Sequence, residues 1–350
     1  MQRYCFFRCM ETNDSKYMHR CLQLARLGEY YVAPNPMVGA VLVCRQGGNE
    51  FIVGEGWHRQ YGGPHAEVNC FLDAESRRHN ADWTMHDCTL YVSLEPCSHY
   101  GKTPPCANLI VEKGVKRVVV GCTDPNPKVA GRGIQILRDA GIEVTVGVLA
   151  AECRELNKRF MCLQEKHRPY ITLKWAETAD GYLDRVRTNG TPVVISTPLT
   201  KQLVHQQRAE NMAIMVGTRT ALLDNPGLRT TRWNGRNPIR IVLDRHHLLP
   251  PDAKLFSPDA ETIVYSDCTD WQHILSDLAS RNIHSVLVEG GATLLRYIIS
   301  TGIYDEVHIE ISNRKLADTP DFNGVKAPCI DLHAMPKKID NHIIYVEKFA

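Results

Sequence analysis

No apolar run in this sequence approaches the roughly 18 residues that a membrane-crossing helix needs; the longest are short stretches such as Val38 to Cys44. A membrane span is not expected. An excess of one charge is missing too: 41 Lys and Arg against 39 Asp and Glu leave +2, which offers no broad field to hold a nucleic-acid backbone or an anionic lipid surface. The first ten residues contain Tyr4, Phe6 and Phe7, but Arg3 and Arg8 interrupt them and no small-residue cleavage site follows, so no secretory signal is expected. Internal repeats and low-complexity tracts are also lacking. The 13 cysteines are an odd number in a chain that is not small, which favours reduced thiols in the cytoplasm, some of them available to a metal, over a disulfide framework. The 350 residues are 43% hydrophobic and 23% charged, with 24 Gly and 19 Pro. That is the composition of a soluble globular protein long enough for two domains.

Periodicity divides the chain into alternating helices and strands. Asp14 to Gly28 carries Tyr17, Met18, Cys21, Leu22 and Ala25 on one helical face. Val38 to Cys44 and Phe51 to Val53, separated by Gly47-Gly48, read as a hairpin. Helices over 65–74, 104–113 and 131–140 then alternate with strands over 89–94, 117–122 and 143–148, predicting a layered α/β domain with a partly parallel sheet. Residues 150–166 read as a charged helical linker, and His167-Arg168-Pro169 breaks it. A second alternation follows: helices over 200–209, 271–280 and 292–300, and strands over 170–175, 212–216, 239–243, 262–265, 285–288, 306–311 and 343–346. The expected organisation is a first domain over 1–150, the linker over 151–168 and a second domain over 169–350.

One cluster of residues carries chemistry. His65-Ala66-Glu67 is followed, 32 residues after the histidine, by Pro96-Cys97 and then by Cys106. One imidazole and two thiolates suit zinc, and a catalytic zinc site leaves its fourth tetrahedral position to water, whose pKa the metal lowers to about 7. Glu67 is close enough to take a proton from that water and return it to a leaving amine. A closed structural zinc site would need a fourth protein ligand, for which His99 is the nearest candidate. His-x-Glu followed by Pro-Cys and a further Cys is the signature of zinc deaminases, although here eight residues separate Cys97 from Cys106 instead of two. Thr103 as cap and Pro104 as first residue would start a helix with Cys106 in its first turn, where the helix N-terminus favours thiolate.

Pro34-Asn35-Pro36-Met37-Val38-Gly39, Gly56-Trp57-His58, His65-Ala66-Glu67 and the stretch from Glu95-Pro96-Cys97 to Pro105-Cys106 together resemble the deaminase half of the bifunctional riboflavin-biosynthesis deaminase/reductases. The long cysteine spacing is that family's mark. The resemblance implies a cytidine-deaminase-like three-layer domain, zinc at His65, Cys97 and Cys106, and Glu67 as proton shuttle. It further implies Asn35, His58, His99 and Lys102 around a diaminohydroxyphosphoribosylaminopyrimidine substrate. Asn35, between two prolines, can present a donor and an acceptor to a pyrimidine edge from a stiff backbone.

The second half carries Leu173-Lys174-Trp175-Ala176, Ala179-Asp180-Gly181, Gln207-Arg208-Ala209, Gly217-Thr218-Arg219-Thr220, Asp224-Asn225-Pro226 and Val288-Glu289-Gly290-Gly291-Ala292-Thr293-Leu294. At Gly290-Gly291 a strand ends and a helix begins, a place where backbone amides can take a cofactor phosphate. In this order the motifs resemble the reductase half of the same family, which implies a dihydrofolate-reductase-like α/β fold and NADPH-dependent reduction of a ribosyl group to ribityl. The resemblance assigns Ala176, Thr220, Asp224, Gly291, Ala292, Thr293 and Leu294 to the cofactor. It assigns Lys174, Arg208, Leu228 and Glu289 to the substrate, with Arg208 suited to clamp a phosphate through its planar fork. Two departures stand out: Pro192-Val193-Val194 replaces a common Ser-x-Trp pair, and Thr231 occupies a place where arginine is usual, leaving Arg232 or Arg229 to substitute. Small molecules are the expected partners, with neither nucleic acid nor membrane, and a dimer or tetramer is the expected assembly.

Overall fold

The computed structural model describes residues 13–78, 83–98, 104–126, 130–187, 191–267, 270–317 and 322–349. It divides into two compact units, residues 1–165 and 166–350. The first contains helix α1 (Asn13–Arg26), strands β1 (Gly39–Gln46) and β2 (Asn49–Trp57), α2 (Ala66–Arg77), β3 (Cys88–Leu94), α3 (Cys106–Lys113), β4 (Arg117–Cys122), α4 (Arg132–Asp139), β5 (Glu143–Val146), α5 (Ala150–Leu156) and α6 (Lys158–Lys166).

Its sheet runs β2-β1-β3-β4-β5, with β1 antiparallel to both neighbours and β3, β4 and β5 parallel. The hairpin turns at Gly47 and Gly48, both at positive φ (58° and 83°), a conformation glycine reaches without a Cβ penalty. Alternation along the strands feeds two cores. Ala40, Leu42, Leu90, Val92, Val118 and Val120 pack with Phe71 of α2, Ile110 of α3 and Leu137 of α4. Val41, Val43, Tyr91 and Val119 face the other way, onto Tyr17 and Met18 of α1, Cys153 of α5 and Met161 of α6. A sheet between two helical layers results. The segment read as a linker is thus two helices, broken at Asn157, whose apolar residues belong to the first unit's core. Trp83, from the segment between the first zinc-ligand candidate and its strand, is also in the core.

The second unit contains β6 (Tyr170–Glu177), β7 (Tyr182–Arg185), α7 (Pro198–Glu210), β8 (Ala213–Gly217), α8 (Thr218–Asp224), β9 (Ile239–Leu243), β10 (Thr262–Tyr265), α9 (Trp271–Ser280), β11 (Ser285–Val288), α10 (Ala292–Thr301), β12 (Glu306–Ile311), β13 (Gly324–Lys326), β14 (Lys337–Ile339) and β15 (His342–Lys348). Its large sheet runs β10-β9-β8-β11-β6-β12-β15-β14, parallel from β10 to β12 and antiparallel beyond. Strands β7 and β13 form a separate antiparallel pair. One face is covered by α9 and α10 through Trp271, Ile274, Leu278, Leu295 and Ile298; the other buries Ile214, Val216 and Val242 against Ala221, Leu228 and Leu255. Asp305, nearly buried, accepts both guanidinium nitrogens of Arg168 at 2.6 and 2.8 Å and the Ile171 amide at 2.8 Å, which ties the start of the unit to its sheet. No helix among the described residues is long and apolar enough to cross a membrane.

Candidate active sites

In the first unit the site is built where α2, the end of β3 and the start of α3 meet. Helix α2 lies close enough on β2 that a Cβ at Gly56 would come 2.3 Å from the Cys70 amide nitrogen; only glycine permits this approach, and it sets the height of the helix start. His65 is the residue preceding α2 and Glu67 lies in its first turn. Cys97 follows β3, and Cys106 opens α3. The helix therefore begins two residues after Pro104, because Pro105 is extended (φ −57°, ψ 140°) and occupies the capping position; Thr103 lies outside the described residues.

These elements bring three donor atoms together. His65 Nδ1 is 3.6 Å from Cys97 Sγ and 3.3 Å from Cys106 Sγ, and all three atoms lie within 4.8 Å of one another. The Cys106 amide donates to Cys97 Sγ at 3.3 Å, so the helix start favours negative charge on that sulfur. A hydrogen bond from the Cys106 thiol, followed by contact with His65, holds Cys97 down at about 4 against the effect of burial, while the same shared proton pushes Cys106 up. One nitrogen and two soft sulfurs in this spacing suit tetrahedral zinc with an open position. Glu67 is 3% exposed and touches Cys106 rather than solvent; burial pushes its carboxyl above the ordinary range.

Asn35 and His58 stand beside these donors. The His58 ring meets the His65 ring edge-on at 5.4 Å. His58 Nδ1 donates to the Pro64 carbonyl at 3.0 Å and Nε2 accepts from Asn35 Nδ2 at 3.0 Å, and burial draws its pKa below the ordinary value. A neutral ring orienting Asn35 is the consequence. His99 and Lys102 lie outside the described residues.

Two positioning groups here escaped the sequence reading. Asn157 accepts from the Met37 amide at 2.8 Å and donates to the Met37 carbonyl at 2.9 Å, pinning the loop that carries Asn35. Glu95 is buried and accepts from the amides of Asp124, Gly131, Gly133 and Ile134 at 3.0–3.4 Å. It thereby fastens the strand end that leads to Cys97 onto the start of α4, where a Cβ at Gly133 would come 2.0 Å from the Pro96 carbonyl oxygen. A glutamate directly before Pro-Cys was visible in the sequence; the four amides it meets were not.

In the second unit a cleft of about 750 Å³ opens at the carboxyl ends of β6, β8, β9 and β11, the customary place for a ligand in a parallel sheet. Lys174, Ala176, Thr220, Asp224, Glu289, Gly291, Ala292, Thr293 and Leu294 all line it. Thr220 Oγ1 accepts from the Gly291 amide at 3.0 Å, which joins the two glycine-bearing junctions. Asp224 is paired with Arg187 at 2.6 Å, and Arg187 also reaches Asp184 at 2.7 Å. Burial draws Lys174 below the usual lysine range, against the pull of Glu289 and Glu310. Glu289, although buried, is held below the usual carboxyl range by Arg208 and Lys174.

Three of the residues read from the sequence sit otherwise. Arg208, Leu228 and Arg232 are not among the residues lining the cleft. The Arg208 fork is spent on Glu289, with Nε and Nη2 donating to the two carboxylate oxygens at 2.9 and 2.6 Å, so Arg208 reaches the cleft through that carboxylate. The Leu228 side chain is buried in the core with Val216 and Val242. Arg232 is exposed. Arg219, Arg245 and His246, which the sequence did not single out, line the cleft as exposed bases.

Comparison with known proteins agrees with this two-site architecture. Residues 11–122 match the family model of the cytidine and deoxycytidylate deaminase zinc-binding region, and residues 169–313 match that of the RibD C-terminal domain. The chain is 36% identical over 353 residues to the riboflavin biosynthesis protein RibD of Aquifex aeolicus, covering 94% of this chain and 95% of that one. To RibD of Escherichia coli it is 34% identical, with 88% and 94% covered. Among solved structures, a diaminohydroxyphosphoribosylaminopyrimidine deaminase/5-amino-6-(5-phosphoribosylamino)uracil reductase from Thermotoga maritima superimposes with a TM-score of 0.83 at 34% identity, covering 96% of this chain and 98% of that one. RibD from Acinetobacter baumannii gives 0.84 at 30% identity, with 95% and 98% covered. Matches at this identity along almost the whole chain show that it belongs to the RibD family of riboflavin biosynthesis proteins.

Proposed function

We propose that the two units are the two enzymes of one bifunctional protein: residues 1–165 deaminate diaminohydroxyphosphoribosylaminopyrimidine, and residues 166–350 reduce the ribosyl group of the resulting 5-amino-6-(5-phosphoribosylamino)uracil to ribityl. The observation that carries the first half is the convergence of His65, Cys97 and Cys106 donor atoms within 4.8 Å, beside a buried carboxylate. The donor set fits zinc, and the cleft of the second unit fits a dinucleotide in volume and in its basic rim. Zinc supplies the Lewis acidity that makes water nucleophilic at neutral pH, and NADPH supplies the hydride.

The chain's own residues do the rest. Glu67, held protonatable by burial, takes a proton onto its carboxylate from the attacking water and delivers it to the departing amine, so that water and substrate leave as ammonia and the carbonyl product. Asn35, oriented by His58, is assigned to the pyrimidine edge, and His99 and Lys102 keep the substrate assignment that the family resemblance gives them. In the second unit Ala176, Thr220, Asp224 and Gly291 to Leu294 hold the cofactor, and Arg219 and Arg245 supply positive charge for its phosphates, which favours NADPH over NADH. Lys174, Glu289 and Arg208 position the open-chain form of the ribosyl group, and Leu228 and Arg232 keep the substrate assignment that the family resemblance gives them. Deamination precedes reduction, the site of action is the cytoplasm, and the assembly is a dimer or tetramer, which light scattering tests directly.

The experiment is ammonia release and NADPH oxidation on the purified, zinc-loaded chain supplied with the diaminopyrimidine substrate. Ammonia without NADPH, and NADPH oxidation only after deamination, are expected. NADPH oxidation that precedes ammonia release would reverse the order, and zinc without ammonia release would refute the substrate.

A further inference from the structure

Arg240 occupies a core position. It stands in β9 between Ile239 and Ile241, on the face where Val242 packs, and it is fully buried. A guanidinium there must have its N–H groups taken up. Its Nη1 donates to the carbonyls of Leu255 and Ser257 at 2.8 Å each and of Ala260 at 3.3 Å, and Nη2 makes an ion-pair contact, outside hydrogen-bond alignment, with Asp259 Oδ1 at 2.8 Å. All of these partners lie in one segment. The remaining donor, Nε, goes elsewhere: to the Gly227 carbonyl at 3.1 Å.

Gly227 belongs to a loop with an uncommon backbone. Asn225 and Leu228 both have positive φ, 39° and 48°, which a branched side chain such as leucine adopts only where the surroundings impose it. Surrounding groups hold the loop almost residue by residue. Asn225 Oδ1 accepts from the Lys254 amide at 2.8 Å, the Arg229 carbonyl accepts from Arg208 Nη1 at 3.1 Å, and the Thr230 and Thr231 amides donate to Asn237 Oδ1 and His205 Nδ1 at 2.9 and 3.1 Å. Arg208 in turn grips Glu289, which lines the cleft. A continuous chain of contacts therefore runs from the buried guanidinium through the loop to a carboxylate at the cleft.

We propose that Arg240 is a positioning residue for the reductase: from inside the core it fixes the 225–231 loop, and through Arg208 the Glu289 carboxylate, at the substrate side of the cleft. The proposal rests on the reductase reading above. Filling the core does not require the charge, since a buried ion network can often be replaced by apolar side chains of similar volume without loss of stability. Holding a loop by its carbonyl oxygen does require it, and a lysine ammonium, a single point on a flexible stem, cannot serve Gly227 and the 255–260 carbonyls at once.

Arg240→Lys and Arg240→Met in the full-length, zinc-loaded protein test this. For both, the KM for 5-amino-6-(5-phosphoribosylamino)uracil is expected to rise by about tenfold or more, since small misplacements of a site are costly. The KM for NADPH and the rate of ammonia release should stay at wild-type values, the latter as an internal control in the same chain. Asn237→Ala, which releases the loop at Thr230 without opening a buried site, should give the same selective rise. An unchanged KM for the uracil substrate in either Arg240 variant or in Asn237→Ala overturns the proposal. So does a parallel loss of NADPH binding, which marks Arg240 as merely holding the unit together. A wild-type chain that oxidises no NADPH with this substrate, in contrast, refutes the reductase reading itself.

Discussion

Replacing Glu67 with glutamine removes one proton-carrying oxygen and leaves the shape of the site intact. Glu67 is 3% exposed, in contact with Cys106, and two residues from His65 on the first turn of α2. Among the described residues no neighbour is placed to take over its task. The other buried carboxylate in this region, Glu95, has its oxygens engaged by four backbone amides, and His58 has both ring nitrogens engaged. The loss should therefore approach the full value of general acid-base catalysis, about 10² to 10⁴ in kcat, or roughly 3–5 kcal/mol of barrier. Zinc content, measured by atomic emission, should remain at that of the wild type, because Glu67 is not among the three donors. NADPH oxidation with the deaminated substrate should also be unchanged, since it belongs to the other unit. Ammonia release within tenfold of the wild type, with zinc in place, would refute the assignment of Glu67 as shuttle; loss of zinc would make it a ligand instead.

Further outcomes follow from the same geometry. A strong zinc chelator should abolish ammonia release and spare NADPH oxidation, measured on one sample; loss of both would contradict the separation of the two sites. Gly133→Ala places a Cβ 2.0 Å from the Pro96 carbonyl oxygen, so α4 or the Cys97 strand end must move. Zinc retention during dialysis should fall, with a stability loss of about 1–3 kcal/mol by denaturant titration. Asp14 accepts both Nη atoms of Arg117 at 2.8–2.9 Å and the Tyr91 hydroxyl at 2.9 Å, and the bond to Arg117 first, against burial, draws its pKa below the ordinary value. A lowered carboxyl pKa gives stability that is present above the unfolded-state value and is lost as pH falls through the folded one. Asp14→Asn should thus cost about 1–2 kcal/mol at pH 7, and the difference from wild type should shrink below about pH 4, as read from denaturation midpoints. Asp305→Asn takes the charged partner from the half-buried Arg168 guanidinium and should destabilise the second unit by about 2 kcal/mol or more; a midpoint shift below about 1 kcal/mol would count against that pair as an anchor.

Most of the regular structure was legible in the pattern of apolar residues. Strands over 117–122, 239–243, 262–265, 285–288 and 306–311 and the helix over 271–280 have the same bounds in the structure as in the periodicity, because each carries a clear apolar pattern, a short run in the strands and one face in the helix, punctuated by turn residues. Elements whose stability comes from elsewhere were missed. Strand β7 and its partner β13 have half-exposed patterns and exist through pairing with each other. The short α8 is a continuation of β8. Helix α3 begins later than the proline rule suggests, since Pro105 adopts an extended conformation.

The His65, Cys97 and Cys106 cluster that the structure brings together, and the glutamate proposed as shuttle, were readable because metal chemistry demands particular residue types, and those types stand at recognisable spacing in one stretch of chain. Sequence by itself thus determined the alternation of layers, the donor set and the family to which the motifs belong. Tertiary structure alone decided that Arg208 grips Glu289 instead of standing free, that Leu228 turns its side chain into the core, that Glu95 collects four amides, and that a buried Arg240 reaches a loop 13 residues away in sequence. The physical reason is common to all four. A charged or polar group names the chemistry it is capable of, but which partner satisfies it is settled only when strands distant in sequence are packed side by side and each donor must meet the acceptor that the fold has brought within reach.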